Sequence, residues 1–554
     1  MKATKRIFSV FLTCVLAFTM AFAMGLTASA ADYTITITKP EGDIDRTYEA
    51  YQIFQGNLSG NTLSDIEWGT GINGAAFLDE LKKNAPFTSC TDAKTVAEKL
   101  ATFENNSDGA VAFAKLAGKF LTTATGSATA TSSATGKITV PAAGYYLLKD
   151  VTDVTTPHDA LSLNILKVVQ DVEVNPKADH PSVDKKIGTD ISTGAAANTA
   201  TIGDKVPFVI KSNVPKMQGY TKYFFVLNDS MTAGLTYNKD VAIKIGATTL
   251  AADAYDVVYD DTANTMKIVI KNFIQYKSEA GKDIVVTYSA TLNEKADLTQ
   301  AGNKNTVKLT YSNNPNVDYK GDNEPDTTDP VGETPEHVTV TYSTKLQLTK
   351  VDGADPNEKL EGVEFQITGT SIKTAVSKGD YFKQDAAGTY YQLKDGTFTE
   401  TAPTAETGSK YVSTSVKYAK VTDTAEQTKM QKVTASGTTD ANGLITFEGL
   451  GAGTYYITEL KAKSGYNLLT APITVVITAA ASETGCNWTV GTNATFADNM
   501  VKLTVENNKG SVLPITGGIG TTIFYVIGGL LVCGAVVMAI TKKKLSVEDK
   551  ADQN

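Results

Sequence analysis

Along the interior of this chain, apolar and polar residues alternate in short runs. Gly, Pro, Asn and Asp interrupt the runs at regular intervals. Alternation with a period of two marks strands that bury one face. In residues 31–177 the pattern predicts strands at 33–38, 138–140 and 145–148. It predicts helices around 75–84 and 93–103, and the Ser/Thr/Ala/Gly-rich stretch 122–135 reads as a loop. In residues 178–343 strands are expected at 205–210, 223–227, 266–270, 284–290, 307–311 and 338–342, with an acidic loop at 314–336. In residues 344–511 they are expected at 346–348, 363–367, 444–447, 454–457, 473–477 and 503–505. Short strands separated by turn signals predict a mainly β protein: tandem immunoglobulin-like β-sandwiches behind an α+β N-terminal domain.

The two ends depart from this pattern. Lys2, Lys5 and Arg6 precede an apolar run over 7–26, followed by Ala28 and Ala30 around one position. That is the layout of a secretory signal peptide, assigned to residues 1–30. Near the other end Leu513-Pro-Ile-Thr-Gly517 precedes an apolar stretch over 519–540 and then Lys542, Lys543 and Lys544. About 20 apolar residues suffice to span a bilayer, and the lysines belong on the cytoplasmic side. A transmembrane span is therefore expected within 512–554.

Composition narrows the picture. Between the ends lie roughly 500 residues, enough for about three domains. The net charge of −9 argues against nucleic acid as a partner. Cys90 and Cys486 are far apart in the chain, so an exported protein of this size has no disulfide framework and needs another stabiliser. Three histidines and no Gly-x-Ser-x-Gly or His-Glu-x-x-His argue against a hydrolase. No cofactor is implied. The acidic loop at 322–329 has the composition of a calcium loop, but a solvated loop is the simpler reading, and no metal ligand is assigned.

Strand phase supplies the candidate chemistry. Leu346, Leu348 and Lys350 share a face, as do Tyr455, Ile457 and Glu459, and Leu503, Val505 and Asn507. The preceding domain repeats this with Val183, Lys185 and Ile187; with Tyr223, Phe225, Leu227 and Asp229; and with Val307, Leu309, Tyr311 and Asn313. Each apolar face ends in, or includes, a lysine, an acid or an amide. An apolar site lowers a lysine pKa and raises a carboxyl pKa. The neutral amine becomes a nucleophile. The acid can shuttle protons while the amine displaces ammonia from the asparagine. The product is a Lys–Asn isopeptide bond. Such a crosslink closes a loop of more than a hundred residues, which loop-entropy models put at about 4 to 5 kcal/mol. Lys186, Asn314 and Asn508 are the neighbouring alternatives, because a slip of one residue exchanges the faces.

Several segments resemble a known family. Leu346-Gln-Leu-Thr-Lys-Val-Asp-Gly353, Leu360-Glu-Gly-Val-Glu-Phe365, Ala441-Asn-Gly443 and Gly453-Thr-Tyr-Tyr-Ile-Thr-Glu-Leu460 look like strands of a CNA-B domain. That resemblance implies that Glu459 is the acid promoting the bond. Asn228-Asp-Ser-Met-Thr-Ala-Gly-Leu-Thr-Tyr237 resembles the acid-bearing segment of the middle domain of pilus backbone subunits, which implies the same role for Asp229. Val172-Glu-Val-Asn-Pro-Lys177 resembles the pilin motif, with Asn175 where tyrosine is usual, and implies Lys177 as the polymerisation lysine. In the first domain Lys149 stands where the acid is expected, so no isopeptide bond is expected there. The 513–517 segment resembles a sortase sorting signal: Leu513, Pro514, Thr516 and Gly517 match it, with cleavage between Thr516 and Gly517.

The resemblance is to the backbone subunit of Gram-positive sortase-assembled pili. It implies a secreted, peptidoglycan-anchored fimbrial protein that is a sortase substrate and no enzyme beyond its own intramolecular crosslinking. Implied partners are a pilus-specific sortase, a housekeeping sortase with peptidoglycan, identical subunits in a covalent fibre, ancillary pilins, and host or cell-surface ligands. A monomeric wall-anchored adhesin and an ancillary tip or base pilin are the alternatives.

Overall fold

The computed structural model describes residues 32–39, 44–105, 107–154, 160–174, 179–369, 374–377, 380–393, 397–411, 413–423 and 436–510. The signal segment, Lys177 and the sorting signal with its apolar tail lie outside the described residues. No helix among the described residues is long and apolar enough to cross a membrane.

The sheets and their cores fall into three units along the chain. In the first, the long strand Arg46–Ser59 lies between Thr62–Trp68 and Gly144–Asp150, and the latter pairs with Leu163–Val168. A second sheet places Tyr33–Ile37 between Gly136–Val140 and Val172–Val174. Helices Gly74–Leu81, Ala93–Leu100 and Asp108–Ala117 cover one side of the larger sheet. Asp92 and Thr95 close a capping box at the start of the second helix, satisfying donors that a helix end leaves open. The third helix was not legible from the pattern. It is longer than the other two, but its buried Phe113, Ala114 and Ala117 include only one large apolar side chain. The 122–135 stretch is not wholly a loop. Gly126–Ala130 forms a strand along residues 46–50, because its small side chains let it lie against the sheet with Ala130 fully buried.

The middle unit is a sandwich. One sheet contains Asp184–Ile187, Lys205–Asn213 and Asp283–Leu292 as neighbours, with Leu235–Tyr237 on its margin. The other carries Phe225–Met231 between Thr265–Ile270 and Asn303–Ser312, and His337–Tyr342 flanks the last. Inward residues such as Phe208, Ile210, Phe225, Leu227, Val307 and Leu309 fill the space between. The acidic loop contains a short strand, Val331–Glu333, against the strand before it.

Only Ser343 separates His337–Tyr342 from Thr344–Asp352, the first strand of the last unit. Val340 and Tyr342 of the middle unit belong to the apolar core of the last one. Backbone bonds from Ala200 to Tyr342 (3.0 Å) and from Ile202 to Gly449 (2.9 Å) complete the joint. Gly449 has φ +76° and faces Ile202 so closely that a Cβ would collide with it. In the last unit Thr344–Asp352 pairs in parallel with Met500–Asn507. The facing sheet holds Glu364–Gly369 beside Gly453–Lys461. Between Glu364–Gly369 and Ser436–Thr438 the chain makes a small excursion with its own strands and aromatic contacts, including Phe382 stacked on Phe398 at 4.1 Å.

The first unit is closed by a buried ion pair. Arg46 Nη1 donates to Asp150 Oδ2 at 2.9 Å and to the Ala160 carbonyl at 2.9 Å, with both side chains out of solvent. Ser162 and Thr152 donate to the same carboxylate. Losing one partner strands the other charge in a dry core. Asp150→Ala should therefore destabilise this unit by about 3 to 5 kcal/mol. Urea unfolding followed by Trp68 fluorescence would measure it, and loss of less than 1 kcal/mol would contradict it.

Candidate functional site

Two buried lysines define the site pair. Lys185 sits in Asp184–Ile187, opposite Ile210, and is 2% exposed, whereas Lys186 points outward and is partly exposed. Its Nζ donates to Asp229 Oδ2 at 2.6 Å. It also donates to Asn305 Oδ1. The rings of Phe208 and Tyr288 lie 5.4 and 5.6 Å from the amine. Tyr237 donates to Asp229 Oδ1 at 2.7 Å and Tyr288 to Oδ2 at 2.6 Å. Asn305 Nδ2 in turn donates to the Tyr288 hydroxyl at 3.0 Å.

The amide in this site is Asn305, and the expectation for Asn313 is corrected. Asn305 lies in Asn303–Ser312 and Asn313 follows it directly, an even number of residues on, so the phase of the run cannot separate them. Pairing direction does. Phe225–Met231 and Asn303–Ser312 are antiparallel, with Asp229 opposite Val307 and Met231 opposite Asn305. An acid late in its strand thus meets an amide early in the next. Asn313 lies at the far end, roughly 25 Å away at about 3.3 Å per residue. There it lines a cleft of about 290 Å³ with Thr152, Asp153, Val154, Asn314, Pro330 and Val331. Its carbonyl accepts from Leu161 N, joining the first and middle units. Tyr237 and Tyr288 also escaped the sequence reading, although both fall on the inward phase of their strands.

In the last unit the structure brings Lys350, Glu459 and Asn507 together. They are 0, 4 and 2% exposed, while Asn508 is exposed. Lys350 Nζ donates to the Val505 carbonyl at 3.2 Å, and Asn507 Nδ2 donates to Glu459 Oε1 at 2.7 Å. Leu469 N donates to the other carboxylate oxygen at 2.8 Å. Here strand phase sufficed because the lysine and amide strands are parallel neighbours. Lys350 is opposite Val505 and Asp352 opposite Asn507, so both functional residues fall at the same end.

Burial pushes each lysine down to about 8. Asp229 opposes the shift at Lys185, and Glu459 and Glu506 oppose it at Lys350. The arrangement therefore offers an amine that deprotonates readily, beside an acid and an amide carbon, with water excluded. Beyond Asn507, Lys509 bridges Asp352 at 3.0 Å and Glu358 at 3.1 Å, with Tyr466 donating to both acids. That clamp fixes the chain where it leaves the domain toward residue 513. In the acidic loop Asp322 and Glu324 pair with Lys222 and Lys267, and Asp329 accepts backbone N–H groups. Among the described residues no cluster of three or more metal-binding side chains occurs.

Known proteins agree with this architecture. Residues 202–315 match the family model of the Gram-positive pilin backbone subunit 2, Cna-B-like domain. Residues 344–490 match that of the SpaA prealbumin-like fold domain. The chain is 25% identical over 399 residues to the trypsin-resistant surface T6 protein of Streptococcus pyogenes serotype M6, covering 66% of this chain and 70% of that protein. The solved T6 backbone pilin of that serotype, a modular three-domain structure, aligns with a TM-score of 0.51 at 16% identity. The alignment covers 87% of this chain and 100% of the other.

The lysine shift has a measurable sign. In Asn305→Ala the amine of Lys185 stays free, with a folded pKa of about 8 against 10.5 in a solvated chain. The unfolded state then binds more protons between these values, so stability rises with pH across that window. The unfolding free energy of Asn305→Ala, taken relative to Lys185→Met/Asn305→Ala, should climb from pH 8 to pH 10.5 and stay level below 8. A flat difference throughout would refute it.

Proposed function

We propose that this chain, a backbone pilin in the family of its middle domain and in its fold, is joined to identical subunits through Lys177 and Thr516. Internal Lys–Asn bonds stiffen it. The observation that carries the reading is the pair of buried lysine–acid–amide sites in successive β-sandwiches: in the middle unit the lysine donates to both the acid and the amide, and in the last unit the amide donates to the acid. In the middle unit the reactants are Lys185 and Asn305, with Asp229 as the acid. In the last unit they are Lys350 and Asn507, with Glu459.

The reading divides the chain into a signal segment (1–30), an N-terminal domain ending in the pilin motif (31–177), a middle domain (178–343), a C-terminal domain (344–511) and a sorting signal (512–554). A pilus sortase cleaves after Thr516 and holds that residue as a thioester until Lys177 of the next subunit attacks it. A housekeeping sortase joins the base of the fibre to peptidoglycan. The chain itself acts once, in forming its own crosslinks. Arg46 and Asp150 occupy the corresponding interior of the first unit. A guanidinium stays protonated, so that pair does not become covalent.

Two measurements test this. The intact mass of residues 31–516 should fall short of the sequence mass by two ammonia equivalents. Peptide mapping should join Lys185 to Asn305 and Lys350 to Asn507, and Glu459→Ala should restore one equivalent. A full sequence mass would end the crosslink reading. On denaturing gels of cell-wall extracts, a polymer ladder should disappear with Lys177→Ala; a single band in the unmodified strain would favour a monomeric adhesin.

A further inference from the structure

The two sites differ in what touches the amide nitrogen. In the last unit Asn507 Nδ2 donates directly to Glu459, at 2.7 Å. In the middle unit Asn305 Nδ2 donates to the Tyr288 hydroxyl at 3.0 Å, and that hydroxyl donates to Asp229 Oδ2 at 2.6 Å. The same Oδ2 accepts from Lys185 Nζ at 2.6 Å. One carboxylate oxygen thus faces the attacking amine on one side and, through a phenol, the leaving nitrogen on the other. Tyr237 holds the opposite oxygen at 2.7 Å and fixes the carboxylate plane.

We propose that Tyr288 is a catalytic residue of the middle unit, relaying a proton from Asp229 to the departing nitrogen of Asn305. The proposal rests on the crosslink reading above. Lys185 first gives a proton to Asp229 Oδ2, and the neutral amine adds to Asn305 Cγ. As the Cγ–Nδ2 bond breaks, its electron pair leaves with nitrogen. Tyr288 supplies the third proton of ammonia and takes the proton on Asp229. Asp229 then accepts a second proton from Lys185 Nζ. An amide, ammonia and a neutral acid remain, and the tyrosine is unchanged. Burial and the adjacent Asp229 charge raise the Tyr288 pKa, so the phenol keeps its proton until the reaction calls on it. The last unit has no need of such a relay, because Glu459 already contacts the leaving nitrogen.

The test is Tyr288→Phe in residues 31–516, which keeps the ring stacked on Phe208 (5.5 Å) and removes only the hydroxyl. Protein sampled at intervals after a synthesis pulse is quenched in acid, weighed intact and mapped. The Lys185–Asn305 bond should form at least about 100-fold more slowly, the usual contribution of a positioned acid or base. The Lys350–Asn507 bond should form at the unmodified rate. Tyr237→Phe should slow the first bond less than Tyr288→Phe does. Should Tyr288→Phe fail to fold, 3-fluorotyrosine placed at 288 preserves the shape with a more acidic phenol, and the rate of the first bond should change. An unaltered rate of that bond in the folded Phe variant, or in the fluorotyrosine protein, overturns the relay. Absence of the bond from the unmodified protein instead removes the crosslink reading itself.

Discussion

A lysine amine placed in a dry sandwich core is the constraint around which the middle and last units are arranged. An ammonium there is costly without a partner, and a carboxylate partner alone leaves two desolvated charges. Adding an amide within reach opens another outcome, in which both charges are discharged by forming a covalent bond. The surrounding apolar side chains have two roles at once. They hold the sheets together, and by excluding water they push Lys185 and Lys350 down to about 8. In a chain whose described cysteines are buried in separate units, the proposed crosslinks would take the place of disulfides.

The same three residue types are delivered by different wiring. In the middle unit the lysine belongs to one sheet, and the acid and amide are antiparallel neighbours in the other. In the last unit the lysine and amide are parallel neighbours, and the acid reaches across from the facing sheet. The first unit keeps its interior pair ionic, as Arg46 with Asp150. An arginine suits that role because its Nη1 bonds the carboxylate and the Ala160 carbonyl together while the guanidinium stays protonated and does not become a nucleophile.

In the proposed fibre, the joint between the middle and last units would carry load. Strand His337–Tyr342 continues almost directly into Thr344–Asp352, and the last core borrows Val340 and Tyr342. If the proposed Lys350–Asn507 bond forms, tension entering at Asn507 would pass to Lys350 and along this shared strand, bypassing most of the last sandwich. The Lys509 clamp follows Asn507 and ties the end of the last strand to Asp352 and Glu358. The excursion between Glu364–Gly369 and Ser436–Thr438 lies off that path, so its small sheets need not be strong.

The sequence by itself determined the mainly β architecture and the burial phase of Lys185, Asp229, Lys350, Glu459 and Asn507, because side-chain alternation is local and survives without knowing a strand's neighbours. It did not determine which strands pair, or in which direction. Asn305 and Asn313 share a phase, and only the antiparallel pairing of Asn303–Ser312 with the Asp229 strand selects Asn305. The same holds for Tyr237 and Tyr288, which reach Asp229 from the opposite sheet. It holds also for Gly126–Ala130, whose small residues read as a loop until a long strand offers them an edge. Phase is set along the chain, whereas the meeting of a lysine, an acid and an amide is set by long-range pairing, which only the folded sandwich supplies.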